Sequence, residues 1–385
     1  MKAVISKMDL VNLIGKIQSI VPTKPAMPIL TNIVLEALDD QLIISASDLT
    51  VSMRCSIDAT VIEQGSIALP ARKFAQLIRE LTSPQVKISV QPGDIAEITT
   101  GTSLFKIHGM NKAEFPTLSD LSGSPEISFT NASLKEMLSK TSFSAAREDS
   151  RYMLNGVRLQ VANQKAVFLG TDGKRLARAT ASIAENPSII GTYVIPLKAV
   201  EEMTKLLDDT DTPVYLNLAH DKISLTSGSL TLTTKLLSGQ YPDVEKVIPA
   251  QVAQSFAIHR EELVSLLRQI SLFTSEASSS VRFSFEVGQL HLAAMSSEVG
   301  EGKVSMPVDY AGPKLEIAFN PYFFLDILRH IKEETFRFGV NDPHSPGLIT
   351  DSTQALFVIM PMRLNDAPAA RIEATPEAEE EVVVQ

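Results

Sequence analysis

The stretch Asp9-Leu10-Val11-Asn12-Leu13-Ile14-Gly15-Lys16-Ile17 is one of three copies of a single pattern in this chain. Leu10, Leu13, Ile14 and Ile17 fall three and four apart, the spacing that puts apolar side chains on one face of a helix. The stripe returns as Leu134, Met137, Leu138, Thr141 and again as Leu263, Leu266, Leu267, Ile270, after intervals of 124 and 129 residues. A second stripe keeps step with it: Phe74, Leu77, Ile78, Leu81; then Val200, Met203, Leu207; then Phe324, Ile327, Leu328, Ile331. Its intervals are 126 and 124, and Pro70, Pro196 and Pro321 stand at its head, where a helix loses nothing by lacking an N–H. A period this long marks a whole domain, since solenoid units run roughly 20 to 50 residues. The spacing therefore predicts three similar domains, 1–122, 123–250 and 251–364, followed by a tail at 365–385.

Between the helical stripes lie β-branched or alternating runs at 41–45, 86–90, 157–161, 214–218, 230–234 and 282–285. These read as half-buried strands. Short polar turns such as Pro92-Gly93-Asp94 and Thr226-Ser227-Gly228 join them, which favours antiparallel pairing because a parallel pair needs a crossover of about a dozen residues. The expected class is α+β, each repeat carrying two helices that cover one face of its antiparallel strands. Glu114-Phe115-Pro116 and Gln240-Tyr241-Pro242 close the first two repeats, with linkers expected at 119–125 and 248–254.

At 385 residues the chain exceeds what one core supports, in agreement with the repeat. Its 44% hydrophobic and 21% charged residues are ordinary for soluble domains. Cys55 is the single cysteine, so an intramolecular disulfide and a cysteine-built zinc site are both excluded, and a reducing cytoplasm is expected. The first apolar run is broken by Asp9, Asn12, Lys16 and Gln18, which gives neither a signal-peptide core nor a membrane span. Net charge is −10, a sign that by itself argues against nucleic acid. Its distribution tells more: the tail holds Asp366, Glu373, Glu377, Glu379, Glu380 and Glu381 against Arg371, so −5 lies there and the three repeats share the other −5. With its prolines and acidic block the tail reads as a disordered extension.

Catalytic signatures are missing. His108, His220, His259, His291, His330 and His344 form no pair at metal-ligand spacing, and there is no GxxxxGK[ST], GxGxxG or GxSxG. Neither a metal nor a cofactor is expected. Gly170-Thr171-Asp172-Gly173-Lys174-Arg175 resembles a phosphate loop only superficially and reads as an Asp-Gly turn. The helices do carry cations: Lys7, Lys16, Arg72, Lys73, Arg79, Lys135, Lys140, Lys198, Lys205, Arg260, Arg268, Arg329 and Lys332. Glu80, Glu136, Glu201, Glu202, Glu261, Glu262 and Asp326 share those helices, so a basic face has to be weighed against an ordinary solvated one. The C-terminal run Val358-Ile359-Met360-Pro361-Met362-Arg363-Leu364 suits either a buried edge strand or an adaptable groove, since methionine is flexible and polarizable.

Leu69-Pro70-Ala71-Arg72-Lys73-Phe74, Arg151-Tyr152-Met153-Leu154-Asn155-Gly156-Val157, Thr171-Asp172-Gly173-Lys174-Arg175-Leu176-Ala177, Tyr241-Pro242-Asp243 and Met360-Pro361-Met362-Arg363-Leu364 occur in this order. Together with the triple repeat they resemble the bacterial DNA polymerase III beta subunits, the sliding clamps, from residue 1 to 364. The resemblance implies the DNA-clamp fold and a noncatalytic processivity factor. Two subunits would join head to tail into a ring of six domains, helices toward duplex DNA and sheets outward. It points to Lys24, Arg72, Lys73, Arg79, Arg147 and Lys198 as DNA-facing, Lys24 standing where relatives often carry arginine. It places a partner-peptide groove between the second and third domains, lined by Arg151, Leu154, Thr171, Gly173, Arg175, Leu176, Pro242, Val247, Phe323, Val358, Met360, Pro361 and Met362. Lys174 stands there where relatives often have histidine. The implied partners are the polymerase III alpha subunit, the clamp loader, and other polymerases and repair proteins carrying short motifs with leucine or phenylalanine anchors. The homodimer interface is expected at Phe105, Ile107, Leu272 and Phe273, with Phe74 and Ile78 joining them, although core packing explains the helical spacing of those two equally well. The tail departs from the family, whose members commonly end at or near Leu364. The competing reading is a repeat-built peptide-binding scaffold that never encircles DNA.

Overall fold

The computed structural model describes residues 1–184, 189–275, 279–353 and 355–363. The acidic tail expected at 365–385 lies outside the described residues. The first repeat runs β1 (Lys2–Ser6), α1 (Lys7–Ile17), β2 (Asn32–Leu38), β3 (Gln41–Ser47), β4 (Val51–Asp58), β5 (Thr60–Glu63), β6 (Gly65–Pro70), α2 (Ala71–Glu80), β7 (Gln85–Gln91), β8 (Ile95–Thr100) and β9 (Ser103–His108). The second runs β10 (Glu126–Thr130), α3 (Asn131–Ser142), β11 (Gly156–Ala162), β12 (Lys165–Thr171), β13 (Arg175–Ser182), β14 (Gly191–Pro196), α4 (Leu197–Leu206), β15 (Pro213–Leu218), β16 (Lys222–Ser227) and β17 (Leu230–Lys235). The third repeats that order: β18 (Gln254–His259), α5 (Arg260–Ser271), β19 (Val281–Glu286), β20 (Gln289–Ser296), β21 (Gly300–Pro307), β22 (Leu315–Phe319), α6 (Pro321–Leu328), β23 (Thr335–Val340), β24 (Gly347–Thr350) and β25 (Ala355–Ile359). Only β5 is an addition. The three domains are similar, as the spacing predicts.

Local chemistry starts each helix. Ser6 and Thr130 accept from the backbone N–H of Asp9 and Ser133 to cap α1 and α3, and Nδ1 of His259 accepts from Glu262 at α5. Pro70 and Pro196 are themselves the residues before α2 and α4, while Pro321 opens α6 behind Asn320, whose side chain accepts from Tyr322 N–H. Leu10, Leu13, Ile14 and Ile17 of α1 are buried, as are Leu134, Met137, Leu138 and Thr141 of α3, and Leu263, Leu267 and Ile270 of α5. The helices pair within each repeat, α1 with α2, α3 with α4 and α5 with α6, and lie against the strands. No helix among the described residues is long and apolar enough to cross a membrane.

All strand pairing among the described residues is antiparallel. The sheets, however, do not respect the repeats. One eight-stranded sheet, β10-β15-β16-β17-β4-β3-β2-β6, runs from the second repeat into the first, and another, β14-β11-β12-β13-β25-β24-β23-β18, from the second into the third. Two shorter sheets remain, β5-β1-β7-β8-β9 in the first repeat and β21-β20-β19-β22 in the third. The seams are ordinary ladders. At one, Leu232 faces Met53 and Leu230 faces Cys55; at the other, Phe357 faces Ala177 and Ala355 faces Ala179.

Candidate functional site

Of the predicted DNA-facing residues, all six are exposed, and they fall into two groups. Lys24, in the loop between α1 and β2, and Arg72 and Lys73, in the first turn of α2, have no acid partner among the described residues. The others are engaged. Arg147 pairs with Glu201 of α4 at 2.9 Å, Lys198 pairs with Asp48 across the first seam, and Arg79 donates to Gln18, the residue that caps the end of α1, at 2.8 Å. Lys140, one of the helix cations, is withdrawn from the surface altogether. It is 3% exposed at the second seam and meets Asp351, Thr353 and Glu136 at 2.8, 2.8 and 2.9 Å. Burial opposes its charge, but the hydrogen bonds to Asp351 and Glu136 hold the ammonium above its ordinary pKa.

The Thr171–Arg175 segment is the turn that the Asp-Gly pair predicts. Asp172 Oδ1 accepts from the N–H of Lys174 and of Arg175, Thr171 Oγ1 accepts from Gly173 N–H and donates to Arg175 O, and Gly173 sits at φ +84°. A Cβ on Gly173 would stand 2.9 Å from both terminal nitrogens of Arg151, a flexible side chain that could shift, so the positive φ is what calls for glycine here. Arg151 forks onto Asp149 at 2.9 and 2.7 Å and reaches the carbonyl of Asp172. That fork holds the Asp149 carboxyl down at about 2.

Arg175 joins the two repeats. Its Nε donates to Asp172 at 3.1 Å, Nη1 to Asp326 of α6 at 2.6 Å and Nη2 to the carbonyl of Phe143 at 2.9 Å. The guanidinium also lies over the Phe323 ring at 4.7 Å and the Phe143 ring at 5.5 Å. Phe143 in turn stacks on His330, centroids 4.5 Å apart and planes 8° apart. Burial pulls the His330 pKa below its ordinary value. Asp326, Phe143 and His330 are functional neighbours that the sequence reading left out of the groove.

Away from the core, the second seam carries a separate apolar cluster of Leu169, Leu176 and Val358, with Tyr241, Val244, Ile248, Leu348 and Leu356 against it. The chain between the second and third repeats thus lies over the seam. Arg158 anchors it, pairing with Glu245 and lying 5.5 Å from the Tyr241 ring centroid. Burial raises the Tyr241 phenol to about 12. The predicted groove residues are therefore graded in depth. Leu154, Thr171, Leu176 and Val358 are buried; Arg175, Phe323, Met360, Pro361 and Met362 are half-buried; Arg151, Gly173, Pro242 and Val247 are exposed. Met360 N–H donates to Lys174 O, and Met362 N–H donates to Ala318 O next to α6. The signal for Tyr241 is the aromatic-proline pair, which marks a repeat boundary and belongs to the motifs of the resemblance without placing the ring at the groove.

Among the predicted dimer residues, Leu272 is 71% exposed and Phe105 36% exposed on the outermost strand β9. Ile107 and Phe273 are half-buried, Phe273 packing so closely on Gly302 that a Cβ there would stand 2.7 Å from its ring. Phe74 and Ile78 are corrected. Both are 0% exposed within a single chain, because α2 buries that face on its own strands, and neither can meet a partner. No group of three or more His, Cys, Asp or Glu that could hold a metal occurs among the described residues.

Comparison with known proteins gives a consistent picture. Family models described as DNA polymerase III beta subunit N-terminal, central and C-terminal domains match residues 1–119, 128–243 and 245–363. The beta sliding clamp of Chlamydia muridarum is 48% identical over 367 residues, covering 95% of this chain and all of that protein. That of Caulobacter vibrioides is 30% identical, covering 94% and 100%. Among solved structures, the DNA polymerase sliding clamp from Bacillus subtilis superposes with a TM-score of 0.91 at 26% identity, covering 95% of this chain and all of that one. The DNA polymerase III subunit beta from Pseudomonas aeruginosa gives 0.90 at 29%, covering 94% and 100%.

Proposed function

The chain belongs to the DNA polymerase III beta subunit family, and from that membership we propose that it is a sliding clamp, a noncatalytic processivity factor of the cytoplasm that encircles duplex DNA as a head-to-tail homodimer. One observation supports ring closure above all others. Seam strands of one kind are β9, β17 and β25; those of the other kind are β4, β13 and β21. Within the chain β17 takes β4 and β25 takes β13, while β9 and β21 lack a seam partner among the described residues. An unpaired edge is a template for another chain, and here the two edges are copies of surfaces that already fit each other twice.

Both internal seams share one register when the repeats are aligned by their ladders. Carried to β9 and β21, it sets Phe105 against Gly302 of a second copy and Lys106 against Glu301, opposite charges directly across the ladder. Leu272 follows the same logic. Its counterparts just past α1 and α3 are Ser19 and Phe143, and each touches the next repeat at or just past its second helix: Ser19 donates to Glu202 of α4 at 2.6 Å, and Phe143 stacks on His330, two residues beyond α6. Among the described residues no next repeat covers Leu272, in keeping with its exposure.

The groove between the second and third domains would take partner peptides, leucine or phenylalanine anchors filling the apolar cluster under the 241–248 connection. Desolvated anchors supply most of such an affinity. The alpha subunit, the clamp loader and other polymerases and repair proteins are the proposed partners. A ring held on DNA by topology needs only weak contacts with phosphates, consistent with three unpaired cations on an acidic chain. The test is retention on nicked circular DNA after loading by a cognate clamp loader with ATP. Retention on circles and loss on linearisation is the expected result; equal behaviour on both forms, with a control clamp loading normally, would leave a scaffold that binds peptides.

A further inference from the structure

Outside the core, Arg158, Leu169, Arg178 and Leu356 stand directly opposite one another on the neighbouring strands β11, β12, β13 and β25. Opposed residues of an antiparallel sheet project to the same face, and Leu169 and Leu356 identify it as the outer one. Arg158 is committed to Glu245 and to the Tyr241 ring. Arg178 is not: its Nε is buried, and among the described residues it meets neither an acceptor nor a carboxylate. A half-buried guanidinium without a carboxylate partner among the described residues, its Nε buried and lacking an acceptor, set beside half-buried Leu348 and Leu356, suits a carboxylate that arrives on a peptide carrying apolar residues.

The chain carries such a segment. Residues 365–385 hold six acids and one arginine, and Val382, Val383 and Val384 follow the acidic block. The segment starts just past Met362, which is bonded to Ala318 at the rim of the groove. Arg178 is three residues of strand from Arg175, roughly 10 Å, whereas 21 residues span up to about 70 Å. The family models end at residue 363, and the Chlamydia muridarum relative is matched in full by 95% of this chain, so the segment is an addition to the family's common length.

We propose that residues 365–385 dock in cis on this outer face, acidic side chains on Arg178 and valines against Leu348 and Leu356, and so compete with partner peptides for the adjoining groove. The competition rests on the groove reading above; the docking can be measured without it. A tethered segment acts at an effective concentration on the order of 1 mM, so one with a Kd of about 0.1 mM weakens a competitor about tenfold. A labelled peptide with leucine and phenylalanine anchors should bind the chain ending at residue 364 about tenfold tighter than the full chain. Arg178→Met, which keeps the apolar stem, should produce the same gain in the full chain and none in the shortened one. Replacing Glu377, Glu379, Glu380 and Glu381 by Gln should mimic truncation. A synthetic 365–385 peptide should bind the shortened chain, lose affinity as salt rises and fail to bind Arg178→Met. Equal affinity of the labelled peptide for both chains overturns the competition while the groove stands. A labelled peptide that binds neither chain overturns groove and competition together, and a 365–385 peptide that does not bind the shortened chain overturns the docking itself.

Discussion

Arg175 holds together groups that lie far apart in sequence: its own turn through Asp172, α6 through Asp326 and the end of α3 through the Phe143 carbonyl. Its side chain is 12% exposed, and removing it takes the guanidinium donor from the Phe143 carbonyl and leaves Asp326, 32% exposed, with Arg329 as its remaining partner. Arg175→Ala is expected to cost about 3 kcal/mol in urea unfolding and to weaken peptide binding, and Arg175→Lys to recover only part, since it keeps the charge without the fork. His330 gives a pH test. Burial lowers its folded pKa below the ordinary value near 6.5, with Asp326 opposing and Arg329, Lys140 and Arg175 reinforcing the shift. The unfolded chain then binds more protons between the two values, so stability rises with pH across that window and is lost as pH falls from about 6.5 through the folded pKa. Melting temperature from pH 7.5 to 5 should fall more steeply for the wild type than for His330→Gln; equal slopes would remove His330 from the account. At this scale the sequence showed the Thr171–Arg175 turn, because Asp-Gly chemistry is local. It could not show Asp326 or His330 beside Arg175, since no local rule relates residues some 150 positions apart. Phe74 and Ile78 were misassigned for a related reason: helical spacing marks a buried face without saying whether the cover is the same chain or another.

The repeat and its strands were legible because period-2 and period-3.6 patterns reflect which face each element buries. The seams were not. Short turns identify β3-β4 or β16-β17 as hairpins, but nothing in a hairpin announces that its outer strand will continue a sheet started about 180 residues away. What looked like one set of strands per repeat is two half-sheets, and four of the six are completed by a neighbouring repeat. The register proposed for β9 and β21 makes a direct prediction. Lys106→Glu, by opposing Glu301 with a like charge, should weaken the dimer; Lys106→Glu with Glu301→Lys should restore it, read as mass by analytical ultracentrifugation. A double variant no better than the single one would refute the register. Phe273→Asp should also yield monomers, because it would bury an unpaired charge at the closing seam.

For the whole molecule, net charge misleads. Much of the −10 belongs to a segment outside the repeats, and several helix cations are spent on seam contacts, Lys140 and Lys198 among them. Arg72 and Lys73 stand without acid partners, so the double variant Arg72→Ala, Lys73→Ala should flatten the salt dependence of binding to a short linear duplex by about 2 in log–log slope. An unchanged slope would put DNA elsewhere on the chain. The seams bear on more than dimerisation. A head-to-tail contact has no built-in stopping point: it closes when its rotations complete one turn and otherwise winds into an open filament. In the proposed dimer six seams of shared register would divide a circle, roughly 60° each, and every internal angle would occur twice. A substitution that bends β13 against β25 by a few degrees therefore leaves its own ladder nearly intact, while the misfit collects at β9 and β21. Angular error in this architecture is felt at a distance, as a gap or a spiral, by strands whose own sequence has not changed.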